Sequence, residues 1–225
     1  MPNGSLSLPA RLYVLAWDTE RMTLTGAWQV AHLLRAGALA ELAQRGLLAD
    51  DDGVAVPVGD SRTGDPALDG LLELIEESRP RKWKRWVTFH PTYTLEAVRT
   101  QLAVAGYLRT RRRRVLGVFP SAEYELDRPD LVKSLRDEAR SVLLGPQPAA
   151  EVSDRDAALV ALAAAAELRT LATGKERGLY RNRIEALTDR GGASVPVLRK
   201  VIEEVRTAVI VAATSESGAR TTGEN

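Results

Sequence analysis

Trp28, His32 and Arg35 stand at i, i+4 and i+7 of a run with helical periodicity. At about 100° per residue all three project from one helix face. An aromatic wall, an imidazole and a guanidinium side by side can hold a phosphorylated head group, because arginine grips phosphate in a fork while tryptophan packs the ring. The competing arrangement is a half-buried tryptophan with Arg35 paired to a carboxylate.

A second concentration of chemistry lies in YLRTRRRRVLGVFPSAEYEL, Tyr107 to Leu126. Arg109, Arg111, Arg112, Arg113 and Arg114 run directly into the apolar Val115, Leu116, Val118 and Phe119, and Tyr124 and Leu126 then alternate with charged residues as a returning strand would. A cationic block beside an oily tip suits a surface that is anionic outside and apolar beneath, a membrane leaflet. Two other readings stay open. Arginines blunt solvated strand edges against aggregation, and they lie along nucleic-acid phosphates as the wing of a winged helix. A recognition helix should then offer polar side chains to base edges, and the helix before this wing offers mainly Arg99 and Gln101. A scaffold that docks an acidic peptide is a further alternative.

The inventory argues against catalysis. The chain has two histidines and no cysteine, so acid–base or nucleophilic work would need carboxylates in a particular arrangement. Glu76–Glu77 and Glu203–Glu204 are adjacent on helices, where side chains diverge. Gly191–Gly192 lies between helices rather than after a strand, and no metal-ligand spacing exists. Neither enzymatic activity nor a cofactor is expected.

With 225 residues, 44% hydrophobic and 27% charged, the chain can bury a sizeable core. Its net charge of +1 hides a local excess. Between Arg79 and Phe119 eleven Lys/Arg, Arg81 and Lys82 among them, face Glu96 alone. No stretch approaches the roughly 18 apolar residues of a membrane span, and the start lacks the pattern of a secretory signal.

The elements that must position these groups are mostly helical. The pattern predicts a flexible segment over 1–10, one helical domain over 11–214 and a disordered tail over 215–225. Arg11–Trp17 reads as a short buried segment. A helix capped by Thr25 runs to about Arg45, with an inward stripe of Ala27, Val30, Ala31, Leu34, Ala38 and Leu42. Gly46 stops it before a small hairpin with an acidic turn at Asp50–Gly53. Asp65 caps a helix with Pro66 at its first position, and a basic, Trp-bearing segment, RKWKRWV, leads to a helix from Thr94 to Ala105. Gly106 then opens the basic hairpin. Helix, glycine and hairpin therefore occur twice, in LAQRGLL and in LAVAGYL. After Pro129 all is helical, with Ser153 capping an Ala-rich helix and Ser194 and Pro196 starting the last one. The expected fold is a mostly α, single-domain helical bundle with one or two small β-hairpins, one of them basic with an apolar tip.

Leu33–Leu48, LLRAGALAELAQRGLL, resembles the "GLRG…EL…RG.L" signature of the Golgi phosphoprotein 3 family. Thr63–Leu72, TGDPALDGLL, resembles its "TGD..LDEAL" block, and Gly106-Tyr107-Leu108 resembles the "GVL" before its hydrophobic hairpin. Trp17-Asp18 precedes the TGD block much as that family's leucine-rich opening does. The likeness spans about Leu12 to Ile210. It implies a mostly helical fold, no enzymatic activity, and binding of phosphatidylinositol 4-phosphate at a membrane, helped by an inserting hairpin. It also implies an adaptor role, because eukaryotic members retain Golgi glycosyltransferases by their cytoplasmic tails. Arg35 stands at the family's head-group arginine, with Ala36 in place of the following glycine. The family's tryptophan lies two positions upstream of Trp28. Of its later arginine pair only Arg99 is available.

The Ala, Arg and Leu usage suggests a bacterial member, and hence a peripheral protein of the inner face of the plasma membrane. Each arginine near an anionic leaflet contributes roughly 1 kcal/mol, so five offer about 5. Part-burial of Val115, Leu116, Val118 and Phe119 adds a few more, and the cost of association leaves weak attachment that needs a second signal. A head-group pocket of Trp28, His32, Arg35 and Arg99, or homo-oligomerisation through the hairpin, would supply it.

Overall fold

The computed structural model describes residues 6–60, 62–115, 119–193 and 199–207. The chain runs α1 (Leu8–Leu15), β1 (Trp17–Asp18), β2 (Thr23–Leu24), α2 (Ala27–Gln44), β3 (Leu48–Asp51), β4 (Val54–Pro57) and α3 (Pro66–Glu76). It continues through β5 (Arg81–Lys82), α4 (Trp83–Thr88), α5 (Pro91–Val104), β6 (Leu108–Val115), β7 (Phe119–Leu126) and α6 (Pro129–Leu144). A 3-10 turn at Ala149–Glu151 precedes α7 (Asp154–Ala165), α8 (Gly174–Leu179) and α9 (Arg181–Ala193), and 199–207 is helical. The fold is mostly α with small antiparallel sheets, β1–β2, β3–β4–β5 and β6–β7. Among the described residues no helix is long and apolar enough to cross a membrane.

The core is organised around α2. The sequence predicts one apolar stripe, but Val30, Leu33, Leu34, Ala36, Ala38, Leu39, Ala40 and Leu42 are all buried, and α1, α3, α4, α5 and α7 all pack on it. A helix wrapped on every side is apolar all round. Gly37 faces α1 so closely that a Cβ there would lie 2.6 Å from the Leu12 side chain. On the other side α7 packs on α9 through an alanine-rich helix whose residues Ala157 to Ala165 are all buried. Small side chains let the backbones approach closely.

Three local expectations are corrected. The segment 1–10 is not loose from residue 6 onward, because Leu6, Leu8 and Ala10 are buried and α1 starts at Leu8. Thr25 does not cap α2. The cap is Gly26 in the left-handed region, while the Thr25 hydroxyl donates to the Ala16 carbonyl at 2.6 Å. The helix expected from Thr94 begins at Pro91, whose fixed φ suits a first turn. Ser194, Pro196 and the tail 215–225 lie outside the described residues.

Other signals appear as read. The Asp65 carboxylate accepts from the backbone N–H groups of Ala67 and Leu68, and Ser153 accepts from that of Asp156. α2 and α5 end alike, in Schellman closures on left-handed glycines. Gly46 N–H donates to the Ala43 carbonyl and Leu47 N–H to that of Leu42, and Gly106 and Tyr107 repeat this with Ala103 and Leu102. Each hairpin root is then closed by one bond, Val58 N–H to the Leu47 carbonyl and Asp127 N–H to that of Tyr107. The exposed acidic hairpin is engaged by the protein's own side chains. Asp50 accepts from Trp83 Nε1 at 2.8 Å and from Lys200 Nζ at 3.0 Å.

α8 begins with a capping box between Thr173 and Glu176, and Arg140 reaches Glu176 at 2.8 Å from α6. The Arg140 bond, and after it the Thr173 bonds, hold the Glu176 pKa down from 4.5 to about 2. A depressed carboxylate stabilises the fold above its ordinary pKa, and that contribution is lost as pH falls through the folded value. Thermal melts between pH 5 and 2 should therefore show a shallower acid loss for Glu176→Gln than for the parent chain.

Candidate functional site

The basic hairpin grows directly from α5. β6 and β7 pair in continuous register from Leu108↔Leu126 to Val115↔Phe119. At the root, Arg109 pairs with Asp127 and Arg111 Nη1 lies 3.1 Å from Glu125, both ion pairs being exposed. Farther out the register sets Arg112 opposite Ala122, Arg113 opposite Ser121 and Arg114 opposite Pro120. The expectation of five independent cations is therefore corrected. Acidic residues recur on the returning strand at positions 123 and 125 and just after it at 127, so the root is charge-compensated. Only the outer three arginines have no acid opposite them in the register. Over 108–127, five Arg less Glu123, Glu125 and Asp127 leave a net charge of +2. Leu116 and Val118 lie outside the described residues, as do the side chains of Arg112, Arg113, Arg114, Val115 and Phe119.

Arg99 belongs to the root of this hairpin. Its Nε donates to the Tyr13 hydroxyl at 3.2 Å, its Nη1 lies 2.8 Å from Glu96, and its guanidinium stands 5.3 Å from the Tyr124 ring centroid. It thus ties α5 to α1 and β7. Burial pushes the Tyr13 hydroxyl pKa up, against the pull of the Arg99 charge.

Arg35 sits deep inside. Its side chain is fully buried, and its Nη2 donates to the His90 carbonyl at 2.6 Å. Nε and Nη1 have no hydrogen-bond partner. The carboxylate pairing weighed for it is absent among the described residues, and burial lowers its pKa to about 10, which leaves it charged at neutral pH. A cavity of about 90 Å³ opens beside it, lined by Pro66, Ala67, Gly70, Tyr93, Thr94 and Ala97 with other residues of α3. His32, one turn earlier on α2, is half-buried. Trp28 lies in the first turn of α2, and its side chain is outside what is described.

Of the four residues expected to form one head-group pocket, Arg35 and Arg99 do not line one cavity. Arg35 faces the ends of α3 and α5, whereas Arg99 does not line that cavity and bonds toward α1 and the hairpin. Arg81 and Lys82 sit on β5, in the sheet of β3 and β4. Lys82 is exposed. Arg81 stacks over Phe89 at 4.1 Å and Trp86 at 5.2 Å, and His90 stacks on Tyr93 at 5.2 Å between centroids. Tyr93, Thr94 and the His90 carbonyl were not singled out by sequence reasoning. The available signal was His90-Pro91, a helix start whose residues necessarily face the neighbouring helix α2. Among the described residues no cluster of three or more potential ligands could hold a metal ion.

A family model described as Golgi phosphoprotein 3 (GPP34) matches residues 8–205, most of the chain. No curated protein matches it.

Proposed function

The chain belongs to the Golgi phosphoprotein 3 family, and on that footing we propose that it is a peripheral membrane protein that binds anionic phospholipid head groups. Family membership is consistent with lipid binding in general. Phosphatidylinositol 4-phosphate is the head group that the resemblance suggests, and the inner face of the plasma membrane is the surface. The reading makes the protein a non-enzymatic adaptor for the cytoplasmic tails of membrane proteins, with oligomerisation through the hairpin as its second attachment.

The observation that carries the reading is the charge order along the hairpin. Arg109 and Arg111 are paired with Asp127 and Glu125 at the root, the register then sets no acid opposite Arg112, Arg113 and Arg114, and the sequence that follows, Val115 to Phe119, is apolar. An element that only protected a sheet edge would gain nothing from grading charge toward its tip. A winged-helix reading loses its recognition helix. Arg99 is engaged with Tyr13 and Glu96, and Gln101 Nε2 donates to Asp65 at 2.7 Å, so neither is available to a base edge.

Sedimentation with vesicles of phosphatidylcholine and phosphatidylglycerol tests the proposal. Binding is expected at low salt, to fall steeply as salt rises, and to weaken in Leu116→Asp with the helical circular dichroism unchanged. Binding to duplex DNA with none to vesicles would transfer the case to the wing. Collapse of the fold in Leu116→Asp would make the tip part of the core.

A further inference from the structure

We propose that the corner where α4 meets α5, with the Tyr93 ring at its crest and Arg79, Lys82 and Arg85 around it, is a second membrane contact, a surface seat at head-group depth that uses no pocket. This rests on the reading that the chain meets anionic lipid, and it names a surface other than the hairpin that does so.

The first observation is a charge boundary. Residues 46–78 hold nine Asp/Glu against Arg62, a net charge of −8, whereas residues 79–95 hold five Lys/Arg and no acid, a net charge of +5. The boundary falls where α3 gives way to β5 and α4. An anionic leaflet therefore repels the first stretch and attracts the second. Glu204 takes Lys84 at 3.0 Å. Arg79, Lys82 and Arg85 are exposed and have no acidic partner among the described residues. The second observation is aromatic. Tyr93 is 61% exposed, the one exposed aromatic side chain among the described residues. Its ring is held there. It lies parallel to His90 at 5.2 Å, His90 meets Phe89 at 4.4 Å, and Arg81 covers Phe89 at 4.1 Å. From beneath, Arg35 donates to the carbonyl of His90, whose backbone is left-handed at φ 47°. A tyrosine fixed in this way is suited to a lipid–water boundary, where the ring meets the acyl edge and the hydroxyl stays among head groups.

The third observation is placement. The hairpin is rooted at the C-terminal end of α5, yet at the pair Thr110↔Tyr124 it is already level with Arg99, whose guanidinium stands 5.3 Å from the Tyr124 ring. The ribbon therefore turns back along α5, toward the end that carries His90 and Tyr93. Hairpin and corner leave the body on one side, and the second contact forms at the high effective concentration set by the first. This is the second signal that weak attachment requires. Single-stranded nucleic acid is served less well. It needs a row of free ring faces, and here Arg81 covers Phe89 while His90 covers one face of Tyr93.

The chain has no cysteine, so single cysteines can carry a polarity-sensitive dye without interference. Thr92→Cys and Val104→Cys place exposed labels at the two ends of α5, roughly 18 Å apart. On vesicles of phosphatidylcholine and phosphatidylglycerol the dye at position 92 should shift to the blue and be quenched by lipids labelled near the head group. The dye at position 104 should stay in water. Replacing Lys82 and Arg85 by serine should weaken vesicle binding about thirtyfold near physiological salt. Tyr93→Ala should weaken it about tenfold, with little change in melting, because all three side chains are exposed. If Tyr93→Ala fails to fold, the dye at position 92 carries the test. Sedimentation of the labelled chain with that dye still in water would overturn the inference and leave the hairpin and the membrane proposal standing. Failure of the parent chain to bind any vesicle would overturn both. An equal shift at positions 92 and 104 would lay α5 flat on the leaflet and remove the corner as a separate seat. Binding of single-stranded DNA that Tyr93→Ala abolishes, with vesicle binding unaltered, would transfer the corner to nucleic acid.

Discussion

Glu41→Ala should lower stability by about 3 kcal/mol, the upper end of what leaving a buried donor without its charged acceptor costs, since Arg45 and Arg155 are themselves part-exposed. For a chain of this length that is a fall of roughly 6–12 °C in melting temperature. Glu41 is buried near the C-terminal end of α2. One of its oxygens accepts from the Leu8 backbone N–H at 2.5 Å, and the other lies 2.5 Å from Arg45 and 3.8 Å from Arg155. Arg155 in turn donates to the Leu6 carbonyl. A single carboxylate therefore caps α1 and fixes the entry of the chain. Burial already lowers the Arg155 pKa, against the effect of Glu41, so deleting the acid leaves that cation less compensated. Glu41→Gln keeps an acceptor for Leu8 and should lose about half as much. Hydrogen exchange is expected to show α1 opening first in the alanine variant. A loss below about 1 kcal/mol with α1 still protected would mean that apolar packing of Leu8 and Leu12 alone seats this helix.

That dependence also shows where sequence reasoning stopped. Gly46, Gly106, Asp65 and Ser153 announced their roles because turn and cap chemistry is local, read within four residues of the position concerned. Leu6 to Ala10 did not. Nothing within the segment reveals that Glu41, 33 residues away, receives the Leu8 N–H. Arg35 is the sharper case. The i, i+4, i+7 pattern names one helix face, but a pattern on α2 alone cannot say that α3 and α5 close over Arg35 and bury the guanidinium. Arg99 was grouped with it by type and by resemblance. The face of α5 that carries Arg99 instead turns to Tyr13 and Tyr124, which no local periodicity fixes.

The two hairpins bring out what the shared frame is for. Identical helix endings at Gly46 and Gly106 launch two hairpins of opposite charge. The acidic one is tied to the rest of the fold at the surface, Asp50 taking Trp83 and Lys200. The root of the basic one spends its acids on its own arginines. Local closure fixes where a hairpin starts, and the placement of acids along the returning strand sets how its charge is graded.

Replacing Arg112, Arg113 and Arg114 by serine should weaken binding to anionic vesicles by about 3 kcal/mol near physiological salt, on the order of 150-fold. Replacing Arg109 and Arg111 should cost less than about threefold. The asymmetry follows from distance. At about 3.3 Å per residue, Arg114 to Arg112 lie within roughly 10 Å of the turn, inside or at the edge of a Debye length near physiological salt. Arg111 and Arg109 stand roughly 13 and 20 Å back, where screening removes most of the attraction, and their carboxylate partners at Glu125 and Asp127 cancel much of the rest. The root substitutions should act on the hairpin instead, through exposed pairs worth under about 1 kcal/mol each, and change melting more than partitioning. Titrating both variants against phosphatidylglycerol vesicles over a salt series separates the two effects, since only the outer set should flatten the salt slope. Equal losses from the two sets would mean that the leaflet is met broadside, and that the tip is not what enters it.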